Sequence, residues 1–265
     1  AIKKINDTDI AGFRRSESWA KDQHIYFYAS FSEPIKSFEI KSKEVQQIEG
    51  WKFAAKNLKA GMGFDIPENK EIIVKIGISP VSVEGAKNNF LKEAGGTDFV
   101  TTREIAASTW NDELSNIIVS GKSQKDKIKF YSALYHSYLA PNIFSDYDGK
   151  YRGTDLEIHH SENHNQYTVV SLWDTYRATH PLFTITQQER TKDFIKTFIK
   201  HYQEGGQLPV WELAGNYTGC MIGYHSIPVI YDAYQKGIYT ENAELLLEAM
   251  IHSATKPHLG LPAYM

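Results

Sequence analysis

Twice in this chain tryptophan stands directly beside a carboxylate. Trp173-Asp174 lies within residues 167–181 (YTVVSLWDTYRATHP), and Trp211-Glu212 lies within residues 208–225 (LPVWELAGNYTGCMIGYH). Such pairs suit sugar recognition. A flat ring covers the C–H face of a pyranose, and a carboxylate accepts from its hydroxyls. Asp174 also has Tyr176 close by and Arg177 one turn on. Two readings are open for it: a carboxylate that holds substrate hydroxyls with Arg177 in support, or a helix cap or an i,i+3 ion pair with Arg177.

The second cluster is equally two-sided. Gly215-Asn216 reads as a turn into a helix that starts near Thr218, and backbone N–H groups at such a start bind anions. Trp211 would floor a sugar subsite, Glu212 would bind hydroxyls or act as an acid, and Tyr217 would point into the bordering cavity. The alternative is a packed helix start with Cys220 and Met221 buried, and for Cys220 burial is the preferred expectation. Histidine is dense at His159, His160 and His164, but no HExxH or CxxC spacing is present, which argues against zinc. Asp146, Asp148 and Asp155 offer oxygen ligands without EF-hand spacing and read as a solvated loop, so no metal ligand is assigned from spacing. GxSxG, P-loop and GxGxxG motifs are absent.

These clusters need a scaffold. The 265 residues suffice for one large or two ordinary domains,. The formal net charge is −3 with no basic stripe, which argues against nucleic acid,. No apolar run reaches the roughly 20 residues of a membrane helix. One cysteine permits no internal disulfide. No signal peptide is seen, and the chain stops just after a Gly-Leu-Pro turn, so both ends look cut. Residues 1–119 read as β-rich: 24–31, 37–42 and 71–78 are strand-like, separated by Gly61, Gly63, Pro67 and Pro80. Helices are expected over 81–93 and from 102. Residues 120–265 read as helical, with helices from 124 to Pro141, in or after 172–175, through Phe194–Tyr202 to Gly205-Gly206, over 218–236, and through Ala243–Ile251. This is a multidomain β + α chain, with part of a β-sandwich followed by a helical half.

The motifs as a set resemble glycoside hydrolase family 92, the calcium-dependent exo-acting α-mannosidases. They run in order along nearly the whole chain: IAGFR at 10–14, FYSALYH at 130–136, IFSD at 143–146, YRG at 151–153, SLWDTYR at 171–177 with HPL at 180–182, LPVW at 208–211, CMIGYH at 220–225, and DAY at 232–234 with Lys236-Gly237. The resemblance implies an N-terminal β-sandwich (1–119 holding a portion of it) and an (α/α)6 toroid (120–265 holding its first part), with the active site between them. It implies that the chain is an internal fragment without the catalytic base, and that the whole protein needs calcium, acts on mannose-containing glycans and is periplasmic or extracellular.

By the same resemblance, Trp173, Asp174 and Trp211 match substrate-binding positions. Family members invert, which needs an acid and a base with carboxyls roughly 6.5–9.5 Å apart. At the position of the family's general acid, Glu, this chain has Tyr217, and a phenol is a poor proton donor at neutral pH. Three expectations follow. The enzyme cleaves substrates whose leaving group needs no proton, such as mannosyl phosphodiesters; Glu212 donates instead; or the protein binds mannosides without turnover.

Overall fold

The computed structural model describes residues 1–42, 46–48, 51–68 and 70–257. The terminal Gly-Leu-Pro turn lies outside the described residues. The chain divides into two compact units, one of residues 1–16, 23–104 and 146–148, the other of residues 17–22, 105–145 and 149–265. The change of character read from composition at 119 thus falls inside the second unit.

The first unit is rich in strands: β1 (Ile2–Lys4), β2 (Asp9–Ser16), β3 (Gln23–Phe31), β4 (Ile35–Lys41), β5 (Gln46–Ile48), β6 (Trp51–Ala54), β7 (Lys59–Phe64) and β8 (Val74–Ser79). Four of them form an antiparallel sheet in the order β1-β2-β3-β8, while β4 pairs with β7 and β5 with β6. Side chains alternate along a strand, so β3 serves two cores. Phe27, Ala29 and Phe31 pack with Ile10, Ile35, Phe38, Met62 and Phe64 on one face. On the other, Tyr26 and Tyr28 pack with Ala11, Ala86 and Phe90. The last two residues belong to α1 (Val83–Glu93), capped by the Ser82 hydroxyl, which accepts from the Gly85 N–H. The helix expected over 81–93 is therefore present. The one expected from 102 starts earlier, as α2 (Phe99–Leu114).

The second unit holds the remaining helices, α3 (Gln124–Ser137), α4 (Leu172–Thr175), α5 (Thr179–Thr186), α6 (Gln188–Gly205), α7 (Ser226–Gln235) and α8 (Ala243–Thr255). α6 presents Thr191, Phe194, Ile195, Phe198 and Ile199 at helical spacing, and these pack with Phe183, Val229, Ile230 and Leu246 in one core,. It ends at Gly206, whose φ of 78° is the left-handed cap that glycine accepts without strain,.

Two expectations fail here. The helix read over 218–236 begins only at Ser226, because residues 218–225 form a loop after β15. Short strands also run through the helical half: β9 (Asn142–Ile143), β10 (Lys150–Arg152), β11 (Ile158–His160), β12 (Tyr167–Thr168), β13 (Val170–Ser171), β14 (Trp211–Leu213) and β15 (Asn216–Tyr217). At two or three residues each, they leave no alternation for a sequence reading to detect.

Candidate functional site

The two tryptophan–carboxylate clusters meet in a small antiparallel sheet, ordered β13-β14-β15. Its register pairs Ser171 with Trp211, Val170 with Glu212, and Glu212 with Tyr217. Cross-strand partners share a face. Trp211 therefore lies on the Ser171 face, and Tyr217 on the opposite face with Glu212.

On the first face, Ser171 leads straight into α4, and its hydroxyl donates to Asp174 Oδ2 at 2.7 Å. Asp174 is thus neither the helix cap, which is Ser171, nor the hydrogen-bond partner of Arg177, whose Nε donates to the Tyr176 hydroxyl at 3.1 Å. Asp174 and Trp173 are both exposed, and Trp211 is half-buried. An exposed carboxylate held by one hydroxyl is free to turn toward a ligand. Trp19, which no motif singled out, meets Trp211 edge-on with ring centroids 5.9 Å apart, and is 59 % exposed. Its spacing in sequence carried no signal. Only the fold brings residues 17–22 here, where the Asp22 N–H donates to Asn216 Oδ1 at 3.0 Å.

The second face is closed. Glu212 is 1 % exposed. Its Oε1 accepts from the Thr168 hydroxyl at 2.9 Å and the Gly215 N–H at 2.7 Å. Burial raises its pKa to about 8 against these donors and those of Val169 and Val170. Tyr217 is half-buried with its hydroxyl shielded from solvent. Gly215-Asn216 is not an entry into a helix: Gly215 closes the Ala214–Gly215 hairpin turn and Asn216 opens β15, so no anion-binding helix start exists there. Ala214 and Gly215 stand at φ of 52° and 73°, and Val169 at 63°. For a β-branched residue that conformation costs about 1–3 kcal/mol. Cys220 is exposed rather than packed, because the residues around it form a loop instead of the expected helix.

Asp146 is not solvated: it is 4 % exposed and accepts from the Ser79 hydroxyl at 2.7 Å and Asn89 Nδ2 at 2.8 Å. Asp155, His159 and Glu204 do converge, with ligand atoms within 4.8 Å of one another. The sequence separated Glu204, on α6, from the loop. His159 Nε2 lies 2.9 Å from Asp155 Oδ2, and the Tyr151 hydroxyl donates to Glu204 Oε1 at 2.5 Å. Calcium takes six to eight oxygens. One imidazole and two carboxylates do not supply that set, and this knot pins the β10–β11 hairpin to the end of α6. A cavity of about 350 Å³ elsewhere in the helical unit is lined by Trp110, Tyr138, Phe183 and Arg190, and by neither of the tryptophan–carboxylate pairs. Its charges are paired with one another, Arg190 with Glu113.

Buried titratable groups give this unit a pH signature. His180 and His201 are sealed in the core and lowered by burial from 6.5 to about 4 and about 3. The unfolded chain takes up their protons below pH 6.5 and the folded chain does not, so stability falls as pH drops through that window. Glu212 acts in the opposite sense. It keeps its proton when folded up to about pH 8 and releases it near 4.5 when unfolded, so stability falls as pH rises toward 8,. Calorimetric melting should therefore show stability declining on both sides of about pH 6.5. Glu212→Gln should flatten the alkaline side and steepen the fall between about pH 6.5 and 4.5, where Glu212 opposes the histidines,. An unchanged alkaline slope in that variant would remove Glu212 as its source.

A strand-rich unit is thus followed by a helical one, in which Trp211 stands on a small sheet and Trp173-Asp174 on the helical turn that Ser171 opens. Known protein families match both parts of the chain. The description "Glycosyl hydrolase family 92 N-terminal domain" matches residues 1–79, and "Glycosyl hydrolase family 92 catalytic domain" matches residues 85–263. The chain belongs to glycosyl hydrolase family 92.

Among solved structures it is similar to the GH92 α-mannosidase BT3965 of Bacteroides thetaiotaomicron, at 35% identity and a TM-score of 0.89 over 97% of this chain and 36% of that one. A second structure of BT3965, in complex with mannoimidazole, matches at 35% identity with a TM-score of 0.88, over 97% of this chain and 35% of that one. The inverting mannosidase BT2199 of the same species matches at 29% identity and a TM-score of 0.84, over 97% of this chain and 36% of that one. The chain thus spans about a third of the length of these relatives. A search of curated proteins found no match.

Proposed function

We propose that the protein is an exo-acting, inverting α-mannosidase-like glycoside hydrolase acting on mannose-containing glycans. In this reading the strand-rich unit is part of a β-sandwich and the helical unit part of an (α/α)6 toroid. The protein works in the periplasm or outside the cell and depends on calcium, for which the described residues are assigned no ligand. Relatives named as α-mannosidases, one of them holding mannoimidazole, support the substrate class.

The observation that carries the reading is the pairing of Ser171 with Trp211 in one sheet, with Ser171 holding Asp174. Asp174 would accept from neighbouring hydroxyls of the terminal mannose, and Trp211 and Trp173 would cover its apolar face. Tyr217 and the sealed Glu212 favour a narrower version, in which the bond broken is one whose leaving group departs without a proton, such as a mannosyl phosphodiester.

The test uses the full-length protein with an aryl α-mannoside, a mannosyl phosphodiester and α-1,2-mannobiose, each with and without a calcium chelator. Turnover of the first two but not the third supports the narrower version. Rapid cleavage of all three supports the general one. Binding without any turnover identifies a non-catalytic mannoside-binding member, and calcium-independent turnover counts against the metal requirement.

A further inference from the structure

Three residues in left-handed backbone surround one buried carboxyl. Val169 directly precedes β13, and Ala214 and Gly215 form the turn between β14 and β15. Gly215 has no room for a side chain, since a Cβ there would come 2.9 Å from the Arg152 carbonyl. Strained conformations persist only where their surroundings over-determine them. Here the determining group is visible. Glu212 Oε1 accepts from Thr168 and from Gly215, and the Thr168 hydroxyl in turn accepts the Ala214 N–H at 2.6 Å. These bonds tie the residue before Val169 to the turn at 214–215. One residue from Glu212 stands Trp211, and two residues beyond Val169 stands Ser171, which holds Asp174.

We infer that Glu212 is a positioning residue of the proposed mannoside site and not its proton donor: its sealed carboxyl locks the turns at Val169 and Ala214–Gly215 together and so sets how Trp211 and the Ser171–Asp174 segment leave the sheet. A proton donor must reach the scissile oxygen, and Glu212 reaches only backbone and Thr168. The inference rests on the mannoside reading for its ligand. The lock itself has an independent reporter in the edge-on pair of Trp19 and Trp211.

The experiment compares Glu212→Gln, Glu212→Leu and Thr168→Val in the full-length protein. It reads near-ultraviolet circular dichroism of the tryptophans, calorimetric affinity for mannoimidazole, and kcat and KM on an aryl α-mannoside and on mannobiose. Glutamine keeps an acceptor at Oε1, so Glu212→Gln retains the tryptophan signal and sugar affinity within about threefold. Glu212→Leu and Thr168→Val lose the signal and weaken affinity by about tenfold or more, with KM rising further than kcat falls. Two results overturn the inference. One is Glu212→Gln losing about 100-fold in kcat on mannobiose with affinity intact, the mark of a proton donor. The other is Glu212→Leu or Thr168→Val keeping both the tryptophan signal and the affinity. If Glu212→Leu does not fold, the other two variants decide. If the wild type binds no mannoside, the functional reading fails, while the tryptophan signals still judge the lock.

Discussion

Asp174→Ala in the full-length protein should lower affinity for mannoimidazole by about 100-fold or more. Each hydrogen bond from a sugar hydroxyl to an ionised carboxylate contributes about 1.5–3 kcal/mol. A carboxylate spanning two neighbouring hydroxyls therefore carries several kcal/mol, and about 1.4 kcal/mol is tenfold. The fold should hardly register the change, because Asp174 is exposed and its one hydrogen bond comes from Ser171. Isothermal titration paired with thermal melting separates the two effects. Wild-type affinity in the variant would take Asp174 out of the site. Lost affinity with an equally lowered melting temperature would make its role structural.

Tyr217→Glu should raise the rate on α-1,2-mannobiose by about 100-fold, the lower end of what a positioned general acid contributes, while changing the rate on an aryl α-mannoside little. The motivation is the family's acid at this position. The structure adds a reason for the introduced carboxyl to stay protonated: the hydroxyl it replaces is shielded from solvent, and desolvation disfavours the charged form,. The register also makes the test severe. Position 217 lies on the Glu212 face, opposite the face of Trp211. A rise requires that the scissile oxygen lie over the edge of the sheet at β15. An unchanged or lower rate on mannobiose would show that position 217 is turned away from it. Together the two variants divide the site, one testing where the sugar is held and the other where its leaving group departs.

Much of the scaffold was legible because it follows local rules. Alternation in β3 and the 3.6-residue spacing of α6 both arise from faces that must be buried, and each is written in consecutive residues. Gly206 marked the end of α6 because few other residues adopt its φ without strain. The reading failed over 218–225, which forms a loop carrying Gly219 and Gly223 in left-handed backbone,. At its start the Thr218 hydroxyl donates to the Trp211 carbonyl, which holds the chain to the hairpin instead of a helical turn.

From its residues and their order alone, this chain declared its family, its strand-rich and helical halves, and the tryptophan–carboxylate pairs, since these are properties of residue type and short-range spacing. Which carboxylate faces solvent was decided only in three dimensions. Asp174 and Glu212 each directly follow a tryptophan, yet one ends at the surface and the other at 1 % exposure. Burial is set by what the distant strand brings against each, through the pairing of residues about forty positions apart,. The contact of residues 17–22 with Asn216 likewise places Trp19 beside Trp211, an arrangement that no local window contains.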